Sequence, residues 1–209
     1  MRRCDQGKRP VAVVLAGGLA RRMGGGDKPL LHLCGLPILG HILERLGPQV
    51  SHLALNANDD PARYDPFGLP ILADSLAGRP GPLGGILAAL DWAATLGETY
   101  VLTVPGDTPF LPLDLAARLT AVVVAGAPAA MAASGGRPHP IAGLWPVAAR
   151  EELRAAVRDN GVRRVSEWAG RQDAVAVEFA VDPVDPFFNV NTPDDLAEAE
   201  HLLDRLRPR

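Results

Sequence analysis

The stretch Val11-Ala-Val-Val-Leu-Ala-Gly-Gly-Leu-Ala-Arg-Arg-Met-Gly-Gly-Gly-Asp-Lys28 decides the fold. Its first six residues are a continuous apolar, largely β-branched run closed by two glycines, the pattern of a strand buried on both faces in a parallel sheet. Outward from it, helical spacing over residues 36–46 puts Ile38, Ile42, Leu43 and Leu46 on one side. Residues 51–55 read as a second strand ending at Asn56, and a short strand around 70–73 precedes Asp74. Residues 83–96 read as a helix entered through Pro82, and residues 100–104 as another buried strand running into Pro105-Gly106-Asp107. A helix over 114–125 follows, with Asp114 as its cap. The pattern then predicts strands over 129–134 and 140–145 separated by Gly135-Gly136, helices over 147–158 and 162–169, and a strand over 174–179. The last helix starts at Thr192-Pro193, a capping residue followed by a first-turn proline, and runs to about Leu206. Strands alternating with helices imply right-handed βαβ units: an α/β fold with a mostly parallel open sheet and helices on both faces. Residues 10–209 read as one domain behind a flexible N-terminal tail of residues 1–9.

At 209 residues, with 47% apolar and 22% charged residues, the chain has ample material for one core and an ordinary charged surface. A net charge of −3 argues against bulk nucleic-acid binding. Cys4 and Cys34 lack any Cys-x-x-Cys or Cys/His spacing, which argues against a disulfide scaffold or a zinc site. No apolar stretch approaches the ~18 residues that span a bilayer. The basic start and the apolar run after it resemble a leader, but the strongly apolar part covers only residues 11–16 and ends in Gly17-Gly18 rather than a small-x-small cleavage site. The expectation is a cytoplasmic protein with no membrane or nucleic-acid partner. Of the 21 basic residues 19 are arginine, and the two lysines are Lys8, in the polar tail, and Lys28, inside the glycine-rich run.

Open α/β sheets bind ligands outside the carboxyl ends of their strands, so the residues just after each strand carry the chemistry. After the first strand, Gly17, Gly18 and Gly24 to Gly26 let backbone N–H groups approach a phosphate, and Arg21, Arg22 and Lys28 add positive charge. The run has neither the Gly-Lys-Ser/Thr of a Walker A loop nor a complete Gly-x-Gly-x-x-Gly. Asn56, Asp74 and Asp107 end the next three strands. A lone aspartate in such a place is most often a turn or cap residue. Asp107, bracketed by Pro105 and Pro109, instead stands in a rigid turn opposite the glycine loop. A carboxylate so placed suits Mg²⁺, which combines one or two carboxylates with substrate phosphate oxygens and water. His32, His41, His52 and His201 read as core or surface residues. His139, after Gly135-Gly-Arg-Pro at an apparent strand start, is a candidate contact with a second substrate.

The run Leu15-Ala-Gly-Gly-x-Ala-Arg-Arg-Met-Gly-Gly-x-Asp-Lys28 resembles the nucleotide-binding loop of the molybdenum cofactor guanylyltransferases. The resemblance extends through Leu55-Asn-Ala-Asn58, Asp74-Ser-Leu, Gly81-Pro-Leu-Gly-Gly85, Pro105-Gly-Asp-Thr-Pro109, His139-Pro140 and Phe188-Asn-Val-Asn-Thr-Pro193, and covers residues 10–206. It implies a single-domain Rossmann-like nucleotidyltransferase fold and transfer of GMP from GTP to the terminal phosphate of Mo-molybdopterin, with Mg²⁺ as cofactor and pyrophosphate as by-product. By the same resemblance Leu15, Ala16, Gly17 and Gly18 line the nucleotide pocket, Arg22 and Lys28 serve the phosphates, Asn56 and Asp74 read the guanosine, and Asp107 is the Mg²⁺ ligand. Asn189 and Asn191 fall in the motif associated with the pterin, with His139 and Arg164 as further acceptor-side candidates; Arg164 otherwise reads as a solvated helix start. Leu19 departs from relatives that carry a cation there, leaving more of the phosphate charge to Arg22, Lys28 and the metal. The implied protein partners are molybdenum-insertion proteins and apo-molybdoenzymes, met transiently.

The resemblance implies in-line displacement without a covalent enzyme intermediate: an ionised phosphate oxygen needs no general base, so positioning and charge neutralisation suffice. The rival readings are the cytidylyltransferase of the same cofactor, a sugar-1-phosphate nucleotidyltransferase, and a carrier that binds GTP without turning it over.

Overall fold

The computed structural model describes residues 8–17, 28–58, 60–76 and 80–206. Along the chain the strands are β1 (Val11–Leu15), β2 (His32–Leu33), β3 (Leu36–Pro37), β4 (Leu53–Asn56), β5 (Ile71–Leu72), β6 (Tyr100–Pro105), β7 (Ala130–Ser134), β8 (Arg137–Pro146) and β9 (Val175–Phe179). The helices are α1 (Ile38–Leu46), α2 (Pro82–Thr95), α3 (Leu115–Val124), α4 (Arg150–Arg158), α5 (Val165–Arg171) and α6 (Pro193–Leu206).

The side-chain period of two in β1 builds both halves of the core. Ala12 and Val14 pack with α1, α3 and α6 on one face of the sheet, while Val11 and Val13 pack with α2, α4 and α5 on the other. The seven-stranded sheet runs β5-β4-β1-β6-β8-β7-β9, and β2 and β3 form a separate two-stranded hairpin. β1 pairs in parallel with β4 on one side and β6 on the other, so its exit at Ala16 and Gly17 lies between the exits of those two strands.

The expected α/β architecture is what forms, with helices on both faces and one exception to the parallel run. β8 lies antiparallel to both β6 and β7. Gly135 and Gly136, with φ of +54° and +73°, are the whole connection between β7 and β8. Two positive-φ residues make the tight turn whose twist matches a hairpin, so the second strand returns beside the first. β8 is therefore longer than the 140–145 run suggests, starting at Arg137.

Other boundaries move for local reasons. α1 starts at Ile38 rather than 36, because Leu36 and Pro37 pair back onto His32 and Leu33. The expected helix over 162–169 begins at Val165: Gly161 takes φ +66°, and the Arg163 guanidinium donates to the carbonyls of Val157 and Val162, holding that segment extended. Asp114 occupies the N-cap position of α3 without a capping bond; Gln49 Oε1 accepts from the Ala116 N–H at 2.9 Å instead. Thr192 caps α6 as expected: its Oγ1 accepts from the Asp195 N–H at 3.1 Å, and the Asp195 carboxylate accepts from the Thr192 N–H at 2.9 Å. These reciprocal bonds answer two otherwise unpartnered helix-end donors.

The change from parallel to antiparallel is held by a buried polar bond. Thr103 Oγ1, on fully buried Thr103 of β6, donates to the carbonyl of Ile141 on β8 at 2.7 Å and accepts from Trp145 Nε1 at 3.0 Å. Thr103→Val conserves the shape but leaves the indole N–H and that carbonyl without the hydroxyl. It is expected to cost about 1–3 kcal/mol in denaturant unfolding, with Thr103→Ser costing less; wild-type stability in the valine variant would exclude this role.

Candidate active site

The carboxyl ends of β1, β4, β5 and β6 converge on one edge. The Ala16 N–H donates to the Asn56 carbonyl at 2.8 Å and the Gly106 N–H to the Leu15 carbonyl at 3.0 Å, so the exits of β4, β1 and β6 are stitched side by side. Leu15, Ala16 and Gly17 lie at this edge; Gly18 and Arg22 lie outside the described residues.

Two polar clusters occupy this edge. At the β4–β5 end, Asn56 Nδ2 donates to the Leu72 carbonyl and to Asp74 Oδ1, both at 3.0 Å, while Asn58 Oδ1 accepts from the Asp74 N–H at 2.8 Å. The first turn of α2 presses against this pair. A Cβ added to Gly84 would stand 2.6 Å from Asp74 Oδ2, and one added to Gly85 would collide with Asn56 Oδ1. The two glycines of Gly81-Pro-Leu-Gly-Gly85 are thus the backbone surface against which Asn56 and Asp74 rest.

At the β1–β6 end, Lys28 Nζ donates to Asp107 Oδ2 at 2.9 Å and to Asn191 Oδ1 at 2.7 Å. Only 13% of the Lys28 side chain and 23% of the Asp107 side chain are exposed, so the pair is shielded without being sealed. The segment carrying Asn191 is fixed independently. The Val190 N–H donates to the Asp107 carbonyl at 2.9 Å, and Thr108 Oγ1 donates to Asn189 Oδ1 at 3.0 Å. The structure therefore brings Lys28, Asp107, Asn189 and Asn191 into one constellation. An ammonium has three N–H donors, and the two partners engage two of them.

Asp195, which carries no expected role, supports this arrangement from beneath. Its Oδ2 accepts from the N–H groups of both Asn191 and Thr192 at 2.9 Å. Burial disfavours the Asp195 charge, but those two backbone donors, the Thr192 hydroxyl and the Lys28 charge outweigh it and hold the carboxyl below its usual range. The signal for it is a carboxylate three residues after Thr192.

His139 lies on β8 with its ring stacked on Phe187, centroids 4.6 Å apart, two residues before Asn189. Burial lowers its pKa; Asp185 and Glu178 oppose that shift and Arg137 adds to it. Arg164 is not drawn into either cluster. It is exposed at the N-cap position of α5, and no hydrogen bond or ion pair engages its guanidinium among the described residues.

The sequence model of the MobA-like NTP transferase domain matches residues 12–175. A molybdenum cofactor guanylyltransferase of Rhodopseudomonas palustris (strain BisB5) is 51% identical over 194 residues, covering 91% of this chain and 92% of that one. Another, from Bradyrhizobium sp. (strain ORS 278), is 51% identical over 193 residues, 91% of each. The crystal structure of molybdopterin-guanine dinucleotide biosynthesis protein A from Archaeoglobus fulgidus superposes with a TM-score of 0.73 at 25% identity, covering 93% of this chain and 99% of that one.

The fold and the matching family model make this a nucleotidyltransferase with a MobA-like NTP transferase domain. Within that class the chain belongs to the molybdenum cofactor guanylyltransferase family. No described helix is long and apolar enough to cross a membrane.

The depressed Asp195 pKa has a pH consequence of definite sign. A carboxyl whose folded pKa lies below its unfolded value stabilises the fold above the unfolded pKa and loses that contribution as pH falls through the folded one. Asp195→Ala is therefore expected to cost about 1 kcal/mol at pH 7. The cost should be complete above about pH 5 and shrink below about pH 4, as read by urea unfolding of both proteins across that range. An equal cost throughout would contradict a charged cap.

Proposed function

We propose that the protein transfers GMP from GTP to the terminal phosphate of Mo-molybdopterin, forming the guanine dinucleotide cofactor and pyrophosphate. The observation that carries this reading is the junction of Lys28, Asp107 and Asn191, which joins the end of the glycine-rich loop, the exit of β6 and the segment before α6. The sheet order lays the site out in sequence. Asn56 and Asp74 stand at the β4–β5 end, Lys28 and Asp107 at the β1–β6 centre, and β8 with His139 lies beyond β6. On this reading the base, the phosphates and the second substrate would lie in that order.

At the base end, Asp74 is oriented by Asn56 through one carboxylate oxygen and by Asn58 through its backbone. A carboxylate accepts from adjacent donors, and guanine offers its N1–H and 2-amino group side by side. Cytosine, whose corresponding edge carries one amino group beside acceptors, does not match a carboxylate in that way.

At the centre, an oxygen of the acceptor's terminal phosphate attacks the α-phosphorus of GTP. The bond from that phosphorus to the β-phosphate bridging oxygen breaks, and pyrophosphate leaves with the electron pair. The attacking oxygen is already ionised, so the protein supplies alignment and charge. Lys28 holds its ammonium on the phosphates, and the bonds from Asn189 to Thr108 and from Val190 to Asp107 keep the acceptor-side segment against the reacting centre.

Among the described residues no three His, Cys, Asp or Glu side chains form a metal cage. One carboxylate beside the amide oxygens of Asn189 and Asn191 matches the oxygen-only preference of Mg²⁺, which fills its remaining positions from phosphates and water. Asp107 would hold the ion, and the chemistry it supplies when bound is neutralisation of the α-phosphate and the departing pyrophosphate.

The test is incubation with each nucleoside triphosphate in turn, Mg²⁺ and Mo-molybdopterin, following pyrophosphate and the dinucleotide product. Turnover with GTP alone is expected, and a drop of roughly 100-fold or more in Asp107→Asn. Turnover with CTP alone, or near-normal turnover in Asp107→Asn, would overturn the reading.

A further inference from the structure

Ser134 closes β7 with its hydroxyl buried, and two groups compete for it. Its Oγ stands 2.8 Å from Asp185 Oδ1 and 2.8 Å from His139 Nε2. Proton counting settles the directions. A carboxylate accepts only, so the single hydroxyl proton goes to Asp185. The serine oxygen then faces Nε2 with a lone pair, and Nε2 must carry the imidazole proton. Nδ1 is left as the bare nitrogen, and it takes no hydrogen bond among the described residues. Burial favours the neutral ring over the charged one, in keeping with this tautomer.

The same carboxylate reaches the acceptor-side segment. Asp185 Oδ1 also accepts from the Phe187 N–H at 3.0 Å, and the Phe187 ring is the surface on which His139 stacks. Phe187 is buried beside Phe179, whose ring it meets edge-on at 5.5 Å. One aspartate thus orients an imidazole and anchors the chain two residues before Asn189.

We propose that His139 binds the second substrate, presenting Nδ1 as a hydrogen-bond acceptor to an N–H of its heterocycle, and that Ser134 and Asp185 are positioning residues that fix this tautomer. The proposal rests on the functional reading above, in which the acceptor is a pterin, a ring system whose edge is rich in N–H donors. Its position supports the acceptor side over the nucleotide side. In the sheet order β8 lies beyond β6, on the far side of Lys28 and Asp107 from Asn56 and Asp74. Protonation of the ring would turn Nδ1 into a donor facing a donor. The charged groups that set this protonation are Asp185 before Phe187, Glu178 on β9 and Arg137 on β8 itself.

The test separates the two substrates' KM values. His139→Phe keeps the stack on Phe187 and removes Nδ1; Ser134→Ala frees the tautomer. Each is expected to raise the acceptor KM about tenfold and leave the GTP KM within about twofold, whereas a general loss of structure would move both. The acceptor KM of the wild type should also rise as pH falls through the His139 pKa. Nitrogen NMR of the wild type, which needs no variant to fold, is expected to show the proton of His139 on Nε2. A proton on Nδ1, or an unchanged acceptor KM in His139→Phe, overturns the proposal. If the wild type makes the guanine dinucleotide and His139→Phe matches it, this inference alone fails; if the wild type makes no such product, the functional reading fails first.

Discussion

A single ammonium group, Lys28 Nζ, joins parts of the chain that lie far apart in sequence, bonding Asp107 at 2.9 Å and Asn191 at 2.7 Å. A largely buried cation is costly to desolvate, and a carboxylate with an amide oxygen in close geometry offsets that cost. The same bonds leave the lysine correctly aimed. On the proposed reading, a phosphate oxygen arriving at the site would meet a charge already held in place, with the third N–H of the ammonium left to receive it. A guanidinium, with its planar fork, would not make the same three-cornered arrangement.

Around this junction the fold works as a set of nested supports. Hydrogen bonds between the strand exits bring β1, β4 and β6 to a common edge. The helix of the last motif is capped by Thr192 and Asp195, and Asp195 also ties down the Asn191 backbone that meets Lys28. The α2 glycines let a helix start rest directly against Asn56 and Asp74. The bonds that hold this edge together and the proposed chemistry thus draw on the same residues.

Much of this was legible in the residues alone. The apolar run before Gly17, the strand ends at Asn56, Asp74 and Asp107, and the Thr192-Pro193 helix start are local patterns with local causes, and each lies where those patterns place it. What was not legible depends on contacts between distant segments. Nothing near Asp114 announces that Gln49 caps its helix, and Asp114 makes no capping bond of its own. The direction of β8 was hidden because a short apolar run has the same period whichever way it points; the two glycines between β7 and β8 were the available signal. Ser134 and Asp185 carry no motif, and their relation to His139 exists only once β7, β8 and the segment after β9 are brought together.

That Lys28 links the segment before α6 to Asp107 at the exit of β6 is open to a direct measurement. A double-mutant cycle between Lys28→Met and Asn191→Ala, read as unfolding free energy of the nucleotide-free protein, isolates that bond from everything else the two residues do. A coupling of about 1 kcal/mol or more is predicted. Additive effects, agreeing within about 0.3 kcal/mol, would contradict it.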